Sequence, residues 1–226
     1  MRIVIAGKPG SGKGTQAALL SERLGLPHLS SGEILRNEIQ GGTAFGKEVE
    51  EYVRRGEIGP ERLITSVILD YIKRNNLVNS FILDGFPRTL YQAETLDSRF
   101  APETCILLSL PDTVIFSRLL NRLTCSGCGR VYHLEQLPPL LEDRCDACGS
   151  GLVKRIDDRH ETVERRLEVF RKEVTPVISL YRDTQRLAPI DGSLAPDEIG
   201  LNILEAVNRA RSVRPARRPL QSAPSD

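Results

Sequence analysis

Residues 2–24 read RIVIAGKPGSGKGTQAALLSERL, an apolar run, a glycine-rich loop and an amphipathic run in direct succession. The short β-branched run 2–6 is what a strand buried on both faces looks like, and 13–24 carries its apolar residues at helical spacing. Between them, glycines let successive backbone N–H groups turn toward one anion, and the start of the following helix adds its dipole. Lys13 is placed to reach the β and γ phosphates of a nucleotide. A glycine-rich turn of purely structural use has no need of that lysine. Gly10, Ser11, Gly12, Lys13, Gly14 and Thr15 are therefore read as a phosphate-binding loop.

Outward from this unit, strand-like runs recur at 27–30, 80–84, 104–110 and 188–191. Helix-period segments lie at 32–40, 45–55, 60–74, 112–123, 162–182 and 196–210. The alternation predicts an α/β fold with a parallel sheet covered by helices on both faces. Two segments, 31–79 and 123–159, are too long for simple crossovers and are expected to be functional insertions. Residues from Ser212 onward are rich in Pro, Arg, Ala and Ser without apolar period, and are expected to be disordered.

The chain of 226 residues has a formal charge of +1, but residues 209–226 hold five Arg against one Asp, so the body is mildly acidic. That balance argues against a protein whose whole surface lies on nucleic acid. The apolar run before Gly7 is too short for a signal-peptide core, and no stretch approaches the roughly 18 apolar residues of a membrane span. Cytoplasm is the expected compartment, with no membrane or nucleic-acid partner. With no exposed apolar repeat or heptad, a monomer is expected.

Cys125, Cys128, Cys145 and Cys148 are spaced C-x2-C-x16-C-x2-C, and each pair is followed by Gly, as CSGCG and CDACG. This spacing fits a closed tetrahedral Zn²⁺ site, and four thiolates leave no position for water, so the metal would be structural. Two disulfides or free thiols are the alternatives, and iron suits the same thiolates in vitro. Cys105, inside TCILLSL, is expected to pack as a small buried hydrophobe. With four Cys satisfying the metal, His133 and His160 are read as surface or packing residues.

In the phosphate loop the hydroxyl residue stands one place later than in the general signature, because Gly14 follows Lys13 and Thr15 comes next. The form GKPGSGKGT, with SSGEILR at 30–36 and DGFPRT at 84–89, resembles the nucleoside monophosphate kinases, and among them the adenylate kinases with a long zinc-binding lid. The resemblance runs from Arg2 to about Ala210. It implies a P-loop NTPase-type parallel five-stranded sheet with helices on both faces, plus an inserted monophosphate-binding arm (30–59) and a four-cysteine zinc lid (122–159). The core would comprise 1–29, 60–121 and 160–210, with 211–226 a disordered tail.

The implied reaction is reversible phosphoryl transfer from MgATP to AMP, giving two ADP. By the same resemblance, Lys13, Arg88, Arg122, Arg155 and Arg166 are the catalytic set. Arg36 and Arg88 grip the acceptor phosphate, for which a planar guanidinium fork is suited. Ser31, where the family commonly has Thr, lies near the acceptor adenine; the backbone of Glu57, Ile58 and Gly59 lines base and ribose. Gly85, Phe86 and Pro87 let the acceptor approach the backbone, and Gln92 bonds the adenine edge. Asp84 and Thr15 hold Mg²⁺ through its waters. Arg122 binds ATP phosphates, Arg155 and Arg166 meet the transferring group and AMP, and Val131, Tyr132 and Leu194 lie beside the ATP adenine. The family's RKDD reads Arg155, Ile156, Asp157, Asp158 here, so one lysine is missing. Read from residues alone, Ser30 and Glu33 form a capping box. The rival readings are a UMP/CMP or other monophosphate kinase and, from another class, a zinc-knuckle nucleic-acid-binding module.

Overall fold

The computed structural model describes residues 1–135 and 137–212; most of the expected disordered tail lies outside the described residues. In chain order the elements are β1 (Arg2–Gly7), α1 (Lys13–Leu24), β2 (His28–Ser30), α2 (Ser31–Gln40), α3 (Ala44–Arg55), α4 (Glu61–Arg74), β3 (Phe81–Asp84), α5 (Leu90–Phe100), β4 (Thr104–Ser109) and α6 (Asp112–Leu120). Then come β5 (Arg122–Cys125), β6 (Val131–His133), β7 (Leu152–Val153), α7 (His160–Val169), α8 (Thr175–Asp183), β8 (Leu187–Asp191) and α9 (Pro196–Ser212).

Five strands form one parallel sheet in the order β2-β3-β1-β4-β8. Period-two alternation sorts its side chains. Val4, Phe81, Leu83 and Cys105 enter a cluster with residues of α4, α5 and α8. Ile3, Ile5, Ile82 and Ile106 enter the opposite one with residues of α1 and α9. Each such aliphatic side chain contributes about 1.5–3 kcal/mol by leaving water. Because β1 lies between β3 and β4, the strand order turns at its C-terminal end, where open parallel sheets form their ligand crevice.

The structure adds one element to those expected and corrects two others. Leu90–Phe100 is a helix, with Ala93, Leu96 and Phe100 on its buried side and Thr89 capping it by accepting from Gln92 N–H at 3.3 Å. The helix expected over 112–123 stops at Leu120, and Arg122–Cys125 is a strand. The helix expected over 162–182 is broken by a π-turn at Phe170–Val174, where the Thr175 N–H reaches back to the Phe170 carbonyl. Pro176, which has no N–H to offer, follows at once and makes a regular α-helical ladder impossible there.

Helices α2 and α3 pack closely, and Thr43 caps α3 by accepting from the Gly46 N–H at 2.9 Å. A Cβ at Gly46 would overlap the Glu38 carbonyl. Residues 122–153 carry a three-stranded antiparallel sheet, β6-β5-β7. Its core is only Leu123, Cys125, Tyr132, Cys145 and Leu152. No helix among the described residues is long and apolar enough to cross a membrane. Gly46→Ala forces the two helices apart; chemical denaturation is expected to show a loss of about 1–3 kcal/mol, and unchanged stability would disprove the close approach.

Candidate active site

The loop after β1 is tied down at Lys8. Its carbonyl accepts from the Lys13 ammonium at 2.8 Å and from the Ser11 N–H at 3.1 Å. Its own ammonium donates to the Leu110 carbonyl at 2.8 Å and pairs with Asp112 at 2.6 Å. Asp112 also pairs with Arg171 of the π-turn at 2.5 Å. The Lys8 and Arg171 contacts hold the Asp112 carboxyl below its usual range. Loop, α6 and π-turn thus share one carboxylate.

Lys13 is depressed to about 8, first by burial and then by Arg88, Arg166 and Arg122, with Asp84 acting against them. Asp84 ends β3, buried, with Oδ1 lacking any hydrogen-bond partner. A Cβ at Gly14 would lie 3.5 Å from its Oδ2, so the carboxylate faces the start of α1. The Ser11 hydroxyl is likewise buried and unpartnered. A buried carboxylate oxygen without a donor is costly unless a cation or its water meets it. The donor set therefore fits a hydrated Mg²⁺ beside the exposed Thr15.

Beside this loop lies a cleft of roughly 730 Å³, open in part to solvent, between α2, α3 and the end of β3. Ser31, Arg36, Glu57, Ile58, Gly59, Gly85, Phe86, Arg88, Gln92 and Arg166 line it, as do Tyr52 and Asp157, which the sequence reading had not marked as site residues. Gly85 has φ 76°, and a Cβ there would come within 2.8 Å of the Ser31 hydroxyl, which is buried without a partner. The Arg88 Nε donates to the Gly85 carbonyl at 2.7 Å. The Arg88 N–H donates to Gln92 Oε1 at 2.7 Å, leaving the Gln92 amide NH₂ as its remaining donor group. Pro87 follows Phe86 through a cis peptide bond.

A second set of cations comes from the ends of the 122–159 segment. Arg122 forks onto Asp158, with Nε and Nη2 at 2.8 and 2.6 Å. Arg166 meets Asp157 Oδ2 at 3.0 Å and Asp158 Oδ1 at 3.1 Å. Arg155 donates from Nε to the Thr124 hydroxyl at 2.9 Å. Burial lowers Arg36, Arg88 and Arg155, the last to about 9, and neighbouring guanidiniums lower them further. Burial alone would raise Asp157, but Arg166, Arg122, Arg36 and Arg155 outweigh it and hold the carboxyl below the usual range. Six cations, Lys13, Arg36, Arg88, Arg122, Arg155 and Arg166, thus face three buried carboxylates, Asp84, Asp157 and Asp158. Such an excess suits a polyanion. The sequence matches both Asp157 and Asp158 to the family's RKDD just after Arg155 but assigns them no role.

The four sulfurs of Cys125, Cys128, Cys145 and Cys148 lie within 4.8 Å of one another. Cys125 and Cys148 are 3.4 Å apart, and Cys128 and Cys145 3.6 Å. Tetrahedral Zn–S bonds of about 2.3 Å place sulfurs about 3.8 Å apart, and a disulfide needs about 2.05 Å. The cluster therefore fits a metal. Gly127 and Cys128 N–H groups point at Cys125 Sγ at 3.3 and 3.4 Å. Cys105 is buried in β4 and pushed up to about 12 by burial, an inert thiol.

Tyr132, expected with Val131 beside the ATP adenine, could serve there through its backbone. Its ring is 1% exposed inside the lid core and its hydroxyl lies against Cys145, so no aromatic face is offered to a base; only its backbone, beside Val131, can meet one. Leu194 follows β8, the edge strand of the five-stranded sheet, after a turn where the Gly192 N–H donates to the Ser109 carbonyl at 2.9 Å and Arg118 reaches the Gly192 carbonyl at 3.4 Å.

The family model described as Adenylate kinase matches residues 5–186. A Clostridium botulinum (strain 657 / Type Ba4) protein named adenylate kinase is 37% identical over 214 residues, 92% of this chain and 99% of its own. A Clostridium perfringens (strain SM101 / Type A) protein of the same name is 37% identical over 204 residues, 88% of this chain and 94% of its own.

The depressed Lys13 gives a pH signature. The unfolded chain holds the lysine proton up to the ordinary range, and the folded chain gives it up near pH 8. Between these limits the unfolded state binds more protons, so native stability from this residue rises with pH. Denaturation of the ligand-free proteins should show stability rising more steeply between pH 8 and 9 in the wild type than in Lys13→Met, whereas Arg155, lowered to about 9, contributes to both at higher pH; profiles that run parallel from pH 8 to 9 would rule the shift out.

Proposed function

The chain belongs to the adenylate kinase family, and from that premise we propose that it transfers the terminal phosphoryl group of MgATP reversibly to AMP, giving two ADP. The carrying observation is the gathering of six cations against three carboxylates between the phosphate loop and the acceptor cleft. Phosphoryl transfer asks little covalent work of a protein. It needs in-line positioning and fixed positive charge around oxygens that become more negative.

In this reading Gly10 to Thr15 hold the ATP phosphates, with Lys13 on the β and γ groups. Arg36 and Arg88 orient the AMP phosphate, and Arg122, Arg155 and Arg166 bridge the two nucleotides. The backbone of Glu57, Ile58 and Gly59, with Ser31, Gly85, Phe86, Pro87 and Gln92, receives the AMP nucleoside. Val131, the backbone of Tyr132 and Leu194 border the ATP base. Mg²⁺, when bound, neutralises phosphate charge, and Asp84 and Thr15 hold it through water. Residues 30–59 act as an acceptor arm and 122–159 as a lid; together they exclude water that would otherwise hydrolyse ATP. The cysteine cluster holds a structural Zn²⁺ that supports the lid. Cytoplasmic, monomeric operation on small-molecule substrates is part of the same proposal.

Support for the closing role is that arm and lid already meet. A Cβ at Gly129 of the lid would lie 3.6 Å from Glu33 Oε1 of the arm; the arm also meets helix α7 of the core, where the Thr162 hydroxyl donates to the Arg54 carbonyl at 3.4 Å. A coupled assay with MgATP and AMP, UMP, CMP or GMP is expected to run fastest with AMP, and fastest turnover with UMP overturns the acceptor assignment. Arg88→Lys keeps the charge and loses the fork, with kcat/KM for AMP expected to fall about 10²-fold. Stripping the zinc is expected to lower the thermal midpoint and the protection of lid amides from exchange. If neither changes, the structural role is wrong.

A further inference from the structure

Tyr132 stands in the middle of the three-residue strand β6, and its ring is the largest side chain in the lid core. Phenylalanine would fill the same space, so packing does not account for the hydroxyl. That hydroxyl accepts from the Asp146 N–H at 2.8 Å and lies 3.4 Å from Cys145 Sγ. With Asp146 on its acceptor side, the O–H hydrogen is left for the sulfur. A thiolate bound to a metal has no proton to give, so in the loaded lid the hydroxyl donates and the sulfur accepts. Arg130 lies over the ring, its guanidinium carbon 5.7 Å from the centroid.

We propose that Tyr132 is a positioning residue for the lid metal, its hydroxyl fixing Cys145 Sγ among the four ligands. The inference rests on reading the four-cysteine cluster as a zinc site. Partners of this kind orient a ligand and slow its departure from the metal, and their loss typically costs about 10- to 100-fold in metal affinity. The bond also has a topological effect. It joins β6, which pairs with β5 beside the first cysteine pair, directly to the second pair, 13 residues further on.

The test uses the full-length zinc-loaded protein and a chromophoric zinc chelator. Tyr132→Phe is expected to release zinc about 10- to 100-fold more readily than the wild type. In the cobalt-substituted protein, the sulfur-to-cobalt charge-transfer band is expected to shift. Ser126→Ala serves as control, because it lies inside the first cysteine knuckle and removes the 2.9 Å bond to the Gly151 carbonyl but no contact to sulfur; the cobalt band is expected to stay in place. A phenylalanine variant that holds zinc as tightly as the wild type, or whose cobalt band coincides with it, overturns the proposal. So does an equal loss in Ser126→Ala, since the hydroxyl would then act only through lid stability. A wild-type chain that takes up neither zinc nor cobalt refutes the metal reading itself, and the inference falls with it.

Discussion

Lys13, Arg36, Arg88, Arg122, Arg155 and Arg166 repel one another across one cleft, and three buried carboxylates offset only part of that repulsion. The surrounding structure is arranged to hold them there. Each of five is pinned by an acceptor from elsewhere in the chain: Lys13 by the Lys8 carbonyl, Arg88 by Gly85, Arg122 by Asp158, Arg155 by Thr124, and Arg166 by Asp157 and Asp158. A pinned guanidinium has already given up its rotamer freedom and need not be ordered when a phosphate arrives. The native state bears the strain of like charges in advance, and an anionic ligand relieves it; bound nucleotide should therefore stabilise the fold as well as occupy it.

Two very different supports carry this arrangement. The parallel sheet, with both faces covered, positions the phosphate loop and Asp84 through bulk burial of aliphatic side chains. The lid has a core of five residues, too few to order some thirty residues by burial alone. There the work passes to the four-sulfur cluster, with the zinc proposed for it, and a few directed hydrogen bonds. Arginines that reach the same cleft are thus held by a large hydrophobic core on one side and by a small cysteine-clustered segment on the other.

What the sequence revealed follows from this division. The buried strands were legible because each is a short apolar run between turn residues, and the phosphate loop because its chemistry is contiguous. The cysteine cluster could be read from spacing, since knuckle geometry is local. Helix Leu90–Phe100 went unread although Leu90, Ala93, Leu96 and Phe100 carry a helical period, because the segment leading into it was read for its polar residues. The π-turn hides within continuous periodicity; only Pro176 betrays it. The lid strands, two to four residues long, owe their existence to the cysteine cluster and not to alternation, so no pattern announces them. Tyr132 shows the limit most clearly. Its place beside Val131 was read only for nearness to a base, and only the three-dimensional path of β6 shows the ring turned inward.

The ion pair between Arg122 and Asp158 joins residues 36 apart in sequence, at the two places where the chain enters and leaves the lid. It draws the lid into a noose closed at its neck, with the cysteine cluster as a second knot further out. Because Arg122 uses Nε and Nη2 for Asp158, its Nη1 lies outside that fork. On the proposed reading the neck stays tied while the arginine meets phosphate, and the segment beyond it swings as one paddle about a root that never has to come undone.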